Sequence, residues 1–169
     1  FPGGSHEYLV NKGNGGRDMD GRTLFFYLAT VNTPAMALEI PGVGSQYAFS
    51  SRDGSGAYLN GSNTYKLNIP ANPPAQKFWS FVVYDPQTRS MLQTGEMPYP
   101  SKNNKRNADM VKNADGSIDL YFGPQAPAGM EANWVKTVPG KGWFGIFRLY
   151  GPGQEWFDRI WKLGDIEKV

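Results

Sequence analysis

The chain has 169 residues, of which 40% are hydrophobic and 14% aromatic, and this is enough for one folded domain with a sizeable core. Since 17 basic and 15 acidic residues leave a net charge of +2, no overall field recruits nucleic acid or an acidic membrane. The absence of cysteine excludes disulfides and thiolate sites, and no apolar run approaches the roughly 20 residues that span a bilayer.

Glycine and proline are frequent, with 21 and 13 residues, and they favour many short strands joined by turns over a helical bundle. Residues 1–20 are Gly-rich and polar and predict an N-terminal arm or linker, so a single folded domain is expected over residues 21–169. The first apolar segment of that domain has helical spacing and predicts a short helix ending before Pro34. The residues with this spacing are Leu24, Tyr27, Leu28 and Val31.

Beyond Pro34 the apolar residues recur at every second position, as they do in half-buried strands. Strands are predicted at residues 45–53, 57–59, 64–69, 77–84, 89–97, 117–122 and 142–150. Asn60-Gly61 predicts a hairpin between the second and third of these strands. Residues 89–97 are expected to pair back onto residues 77–84.

Two of the predicted strands alternate cleanly, which assigns one side of each to the core. The expected core residues are Tyr65, Leu67 and Ile69 in one strand and Ile118, Leu120 and Phe122 in the other. Residues 98–114 predict a long polar loop, and residues 151–163 predict one or two helical turns with an apolar face of Trp156, Phe157, Ile160 and Trp161. The expected fold is mainly β, an antiparallel β-sandwich of jelly-roll type with one or two short helices at the ends.

The strands at residues 77–84 and 142–150 are apolar on both faces. The first carries Trp79, Phe81 and Val83 on one face and Phe78, Val82 and Tyr84 on the other. Because exposing several large apolar side chains in a row is unfavourable, the two strands are expected to be central and adjacent. One face of each then belongs to the core. The other needs a cover, which we expect the C-terminal helix and a second domain or chain to supply.

The sequence offers little catalytic chemistry. Its single histidine, His6, lies in the Gly-rich arm, and no nucleotide-binding loop or metal-ligand spacing is present, so neither a cofactor nor a metal is predicted. A pair of carboxylates for glycoside hydrolysis stays open among Asp53, Asp85, Glu96, Asp119 and Glu131.

Seven residues are candidates for ligand binding: Trp79, Tyr84, Asp85, Arg89, Asn133, Trp134 and Arg148. Asp85 and Arg89 flank a proline turn, where the alternative is an ion pair that fixes the turn. Asn133 and Trp134 suit a sugar-binding surface, in which a ring stacks on the sugar and an amide binds its hydroxyls, unless the tryptophan folds back onto the core.

Basic residues raise two further questions. Arg148 lies within an apolar strand and is expected to need a carboxylate partner, with Asp85 and Glu131 as the candidates. The short basic cluster of Lys102, Lys105 and Arg106 predicts a solvated loop, with contact to a polyanion as the alternative.

Several segments together resemble a bacterial family known as domain of unknown function 1214. The resemblance runs from about Gly21 to the C-terminus and depends on the combination of "FWS…YD…R" over residues 78–89 with "NADGS", "P.G…NW" and "R.Y.P". Members usually carry a second β-sandwich domain, number 1254, upstream, and many have export signals. The family offers no established catalytic residues.

The resemblance implies a C-terminal module of an exported or envelope protein, located in the periplasm or secreted, and packed on an upstream companion domain or a second subunit. A structural or binding role is expected, with a glycan or other polymer contacted through tryptophan and tyrosine. The alternative is part of a hydrolase with its active site at the interface with the upstream domain.

Overall fold

A computed structural model describes residues 39–169 together with Met19, Asp20 and Thr23. These three isolated residues are helical, and the rest of the predicted arm and of the predicted helix before Pro34 lies outside the described residues. Eight strands are present in the described part: β1 (Ser45–Ser50), β2 (Tyr65–Ile69), β3 (Ala75–Tyr84), β4 (Ser101–Asn103), β5 (Ile118–Gly123), β6 (Trp134–Lys136), β7 (Phe144–Pro152) and β8 (Ile166–Lys168). A short 3-10 helix covers Glu131–Asn133, and one α-helical turn covers Gln154–Phe157.

The strands form two four-stranded sheets, and the chain is mainly β as expected. The first sheet has the order β1-β7-β3-β4, and the second has the order β6-β5-β2-β8. Neighbouring strands in the described residues are antiparallel except for β5 and β6, which pair in parallel. β7 and β3 are the adjacent central strands of the first sheet, which confirms the prediction made from their two apolar faces.

The core lies between the sheets, because each contributes one row of alternating apolar side chains. The predicted inward residues of β2 and β5 are all buried, and so are Trp79, Phe81 and Val83 of β3. The Phe81 ring of the first sheet lies 4.7 Å from the Phe122 ring of the second. Burying each such side chain stabilises the fold by roughly 1.5–3 kcal/mol.

The predicted hairpin at Asn60-Gly61 is wrong. Residues 57–59 form only an isolated bridge, between Tyr58 and Arg52, and β2 pairs with β5 and β8 instead. Gly61 has a different use: a Cβ at this position would overlap the backbone carbonyl of Val138. The glycine therefore permits a close approach of two backbones that are distant in sequence.

The edge strands also differ from the prediction. Residues 89–97 reach β3 only through the bridge between Met91 and Tyr84. On the side of β3 away from β7, the neighbouring strand is β4, which lies inside the predicted polar loop. Its Lys102 is buried opposite Phe81.

The C-terminal segment does not cover the second face of β3 and β7. Its helix is a single turn, and Trp156 and Trp161 pack on the core side, where the Trp161 ring lies 5.9 Å from that of Phe147. Ile160, predicted to share their face, is 76% exposed. In the described part of the chain no helix is long and apolar enough to cross a membrane.

Candidate functional site

The first sheet has an outer face, opposite the core, that carries most of the half-buried aromatic residues. Strand alternation and register place thirteen side chains on it: Ser45, Tyr47 and Phe49 of β1; Phe78, Ser80, Val82 and Tyr84 of β3; Ser101 and Asn103 of β4; and Phe144, Ile146, Arg148 and Tyr150 of β7. We call this surface, with Lys105 and Arg106 at its rim, the Arg148 face. Its thirteen side chains include no carboxylate.

Arg148 lies in the middle of this surface, between Tyr47 of β1 and Ser80 of β3. Its Nη2 donates a hydrogen bond to Tyr84 Oη at 2.7 Å. The guanidinium carbon is 5.6 Å from the centre of the Tyr47 ring and 5.9 Å from that of the Tyr84 ring, which is within cation–π range. The Nε–H is buried without an acceptor.

The carboxylate partner predicted for Arg148 is not there. Within the described residues Arg148 forms no ion pair, and the Asp85 carboxylate instead accepts a hydrogen bond from Lys141 Nζ at 3.2 Å. Burial lowers the pKa of Arg148, but interactions with Tyr150, Tyr84 and Tyr47 outweigh that effect and place the pKa above its usual value. The face therefore holds a permanent cation that tyrosines stabilise and that no acid of the described residues neutralises.

Two stacked aromatic pairs flank this cation. The rings of Phe78 and Tyr150 are 4.1 Å apart and those of Tyr84 and Phe144 are 5.2 Å apart, each pair within 14° of parallel. Both pairs join β3 to β7, because directly opposed residues in antiparallel strands bring their side chains together. The result is a sheet surface with ring systems on both sides of a guanidinium group.

Two further cations line the rim of the face. Lys105 Nζ lies 5.6 Å from the centre of the Phe78 ring, and Arg106 donates to Ser101 Oγ at 2.7 Å while lying over the exposed Tyr99 ring at 5.5 Å. Lys105 and Arg106 are exposed, as predicted for a solvated loop, and each also lies near an aromatic ring. The prediction is wrong for Lys102, the third member of the basic cluster, which is buried. The Arg148 face therefore carries three cations: Arg148 at its centre and Lys105 and Arg106 at its rim.

Asp85 and Arg89 belong to a turn and not to this face. The Asp85 carboxylate accepts hydrogen bonds from the backbone N–H groups of Gln87 and Thr88, at 2.7 and 3.2 Å. The hydrogen bond from Gln87 is the main reason that the pKa of Asp85 is lowered. Arg89 has a φ of 59° and closes the turn by donating its backbone N–H to the Asp85 carbonyl at 2.8 Å.

The remaining predicted residues are structural. Trp79 is buried in the core, and Asn133 is buried where it bridges Val111 and the Asp119 carbonyl. Trp134 folds back, because its Nε1–H donates to the Gly123 carbonyl at 3.0 Å. Of the seven candidates the structure brings together Tyr84 and Arg148 on the Arg148 face, and the other five lie elsewhere in the fold.

The sequence pointed to Lys105 and Arg106 only as part of a basic cluster, with contact to a polyanion as the alternative to a solvated loop. Tyr47, Phe78 and Tyr150 were not among the candidates, although Tyr47 follows the alternation of its strand. Only the register of β1, β3 and β7 places them around one guanidinium group. Over the described residues no cluster of three or more histidine or acidic side chains is arranged to hold a metal ion.

Residues 44–154 match a family described as "Protein of unknown function (DUF1214)", over more than half of the chain. The chain belongs to the DUF1214 family. No curated protein matches it.

Two solved structures resemble the DUF1214 chain. The VPA0106 protein from Vibrio parahaemolyticus has a TM-score of 0.66 at 24% identity, and the match covers 93% of this chain and 36% of that one. A putative uncharacterized protein from Burkholderia cenocepacia has a TM-score of 0.45 at 18% identity, covering 98% of this chain and 46% of the other. The first likeness shows the fold, and the DUF1214 chain spans about a third of that protein.

Proposed function

We propose that the DUF1214 chain is a binding module and that the Arg148 face binds a glycan polymer bearing carboxylate groups. One observation carries this proposal: a half-buried guanidinium group lies on an aromatic sheet surface with no carboxylate partner among the described residues. A buried or half-buried cation is usually paired, so an anion supplied by a ligand is the partner that this surface lacks.

The chemistry around Arg148 matches the two parts of an acidic sugar. Aromatic ring faces stack on the apolar C–H face of a pyranose, and Tyr47, 47% exposed, presents such a ring. A guanidinium group is the preferred partner of a carboxylate because its planar N–H groups match the carboxylate oxygens. Lys105 and Arg106 at the rim extend the positive charge, which suits a polymer with repeated acidic units.

We further propose that the module belongs to a longer protein, with a companion domain upstream or a second subunit packed against it. Support comes from the comparison with VPA0106, of which the match covers only 36%. An exported protein, periplasmic or secreted, is the setting in which a module of this kind meets a glycan. The two sheets with their shared core are consistent with a sandwich of jelly-roll type.

Two of the five carboxylates considered for a hydrolase, Asp53 and Asp85, do not have the property that a general acid needs. A general acid needs a raised pKa, whereas the pKa values of Asp53, Asp85 and Asp115 are lowered, in each case chiefly by a hydrogen bond within a turn. An active site at the interface with an upstream domain stays a prediction.

The proposal is tested by calorimetry with polygalacturonate and with the same polymer fully methyl-esterified, which keeps the rings and removes the charge. We expect binding to the acidic form and at least tenfold weaker binding after Arg148→Met, since a hydrogen bond to a charged group contributes about 1.5–3 kcal/mol. Tyr47→Ala, at an exposed position, should also weaken binding.

Arg52→Met is the matched control, because Arg52 also lies over a tyrosine ring, at 4.1 Å from Tyr58, but outside the face. Its binding should equal that of the unmodified chain. Equal binding of the acidic and esterified polymers, or no loss with Arg148→Met, would show that the face does not recognise carboxylates.

A further inference from the structure

A cavity of about 360 Å³ lies between the two sheets where the edges of β1 and β8 face each other. Its sheet-side walls include Ala48 of β1, Leu67 of β2 and Phe81 of β3. The C-terminal segment closes it with Trp156, Trp161 and Leu163. The volume falls in the range of roughly 300–1,000 Å³ that is usual for small-molecule sites.

Small residues on the first sheet create this space. Ala48, Ser50 and Gly145 line the cavity at positions where the rest of the core carries large side chains. A Cβ at Gly145 would lie 2.6 Å from Cε1 of Phe81, so the glycine leaves room for the tip of that ring. Because interiors are normally filled to close packing, an unfilled volume beside the small side chains of Ala48 and Ser50 is a specific feature of this sequence.

The mouth of the cavity is charged, with Arg159, Lys162 and Asp165 exposed there. Lys162 has no hydrogen bond or ion pair within the described part of the chain. An apolar volume with a free ammonium group at its entrance complements a molecule with an apolar body and one anionic end.

We propose that this cavity binds an apolar monocarboxylic acid, with its hydrocarbon part among Phe81, Trp161 and Leu163 and its carboxylate at Lys162. The site differs from the Arg148 face, with which it shares only Phe49, since its other residues belong to the core side of the two sheets and to the C-terminal segment. Binding here does not depend on whether the chain binds a glycan.

Sodium octanoate is the probe, with 1-octanol as the neutral molecule of the same length. The readout is the set of five indole N–H signals in a heteronuclear NMR titration of the full chain. Trp156 and Trp143 form an internal matched pair, because each Nε1–H is buried without an acceptor but only Trp156 lines the cavity. We expect octanoate to shift the signals of Trp156 and Trp161 to saturation and to leave those of Trp143 and Trp134 unchanged.

Two variants separate the apolar and charged parts of the site. Lys162→Gln should weaken octanoate about threefold, as expected for an exposed ion pair, and leave octanol unchanged. Ala48→Leu should fill the cavity and abolish both titrations. The exposed Lys112→Gln is the control and should bind octanoate as the unmodified chain does.

The proposal is overturned if octanoate leaves Trp156 and Trp161 unchanged, or if it moves all five signals alike. It is equally overturned if octanol binds as tightly as octanoate, since the charge at the mouth would then select nothing. If Ala48→Leu fails to fold, the comparison of octanoate with octanol and the Lys162→Gln variant decide the question.

Discussion

Asn133 and Arg148 show two different outcomes for a polar side chain in a β protein. Asn133 is 1% exposed, and its amide accepts from the Val111 N–H and donates to the carbonyls of Val111 and Asp119, at 2.7, 2.8 and 2.9 Å. All of its main hydrogen-bonding capacity is therefore used inside the protein. Arg148 donates to the Tyr84 hydroxyl and has no acidic partner within the described part of the chain, which is the reason we propose that its partner is a ligand.

A change at Asn133 should affect stability and not binding. Asn133→Leu removes three hydrogen bonds and leaves buried backbone groups unsatisfied, which should lower the free energy of unfolding by about 3 kcal/mol. Urea denaturation followed by tryptophan fluorescence measures this loss. Asn63→Leu, which removes a single 3.3 Å bond to Tyr65, should cost much less. Equal losses in the two variants would contradict the structural role of Asn133.

At the scale of elements, β3 and β7 depend on one glycine. Their register places Val83 beside Gly145 and Phe81 beside Phe147, and the Phe81 ring occupies the space above Gly145. Two central strands with large residues on both faces need such a position, because a second side chain there would collide with the ring. Gly145 thus makes room for Phe81 between the central strands, and it also lines the cavity beside them.

Gly145→Ala should destabilise the fold by about 1–3 kcal/mol, because the added methyl group overpacks the core against Phe81. Thermal denaturation measures the effect. Gly164→Ala is the matched control, since a Cβ there meets only the Asn68 carbonyl at 3.6 Å. Combining Gly145→Ala with Phe81→Leu should recover part of the loss. A tolerated Gly145→Ala would show that the ring has room to move.

At the scale of the whole molecule, turns are fixed by carboxylates. The carboxylate oxygens of Asp53 and Asp115 accept hydrogen bonds from Ser55 and Ser117, and that of Asp85 accepts from Gln87 and Thr88. These bonds lower the pKa of all three groups in the folded state. The unfolded chain, with aspartate pKa values of about 3.9, therefore takes up protons first as the pH falls.

Stability should accordingly be constant above about pH 5 and fall as the pH drops through and below about 4, because a lowered carboxyl pKa stabilises the fold only while the group is ionised. The melting temperature between pH 7 and pH 3 measures this dependence. The triple variant Asp53→Asn, Asp85→Asn and Asp115→Asn should show a flatter acid limb. Asp165→Asn, at an exposed position, should retain the original slope. An unchanged slope in the triple variant would place the acid sensitivity elsewhere.

Features that local sequence determines were predicted correctly, whereas features that depend on contacts between distant residues were not. Strands with clean alternation, such as β2 and β5, were predicted with their buried faces, because a period of two is a local property. β4, β6 and β8 have three residues each, too few to show a period. Gly61 was wrongly assigned to a hairpin. Its actual role is a close approach to Val138, and local sequence does not reveal a contact between residues so far apart in the chain.

The same difference between local and long-range information applies to the candidate site. Arg148 and Tyr84 were predicted from their own strands, whereas Tyr47 reaches Arg148 only through the pairing of β1 with β7. The expected carboxylate partner was an inference from burial alone. In the fold, tyrosine hydroxyls and ring faces occupy the positions around the guanidinium group.

The order of strands in the first sheet has a consequence for synthesis. β1 pairs only with β7 among the described strands, and β7 also completes one side of β3, so the sheet does not close until residue 152 has left the ribosome. A nascent chain that ends before β7 exposes Trp79, Phe81 and Val83 without their neighbours. At about 5–20 residues per second, the roughly 60 residues between β3 and β7 take seconds to make. Throughout that interval we expect β3 to lack its β7 neighbour, a state in which exposed apolar surface favours aggregation or chaperone binding.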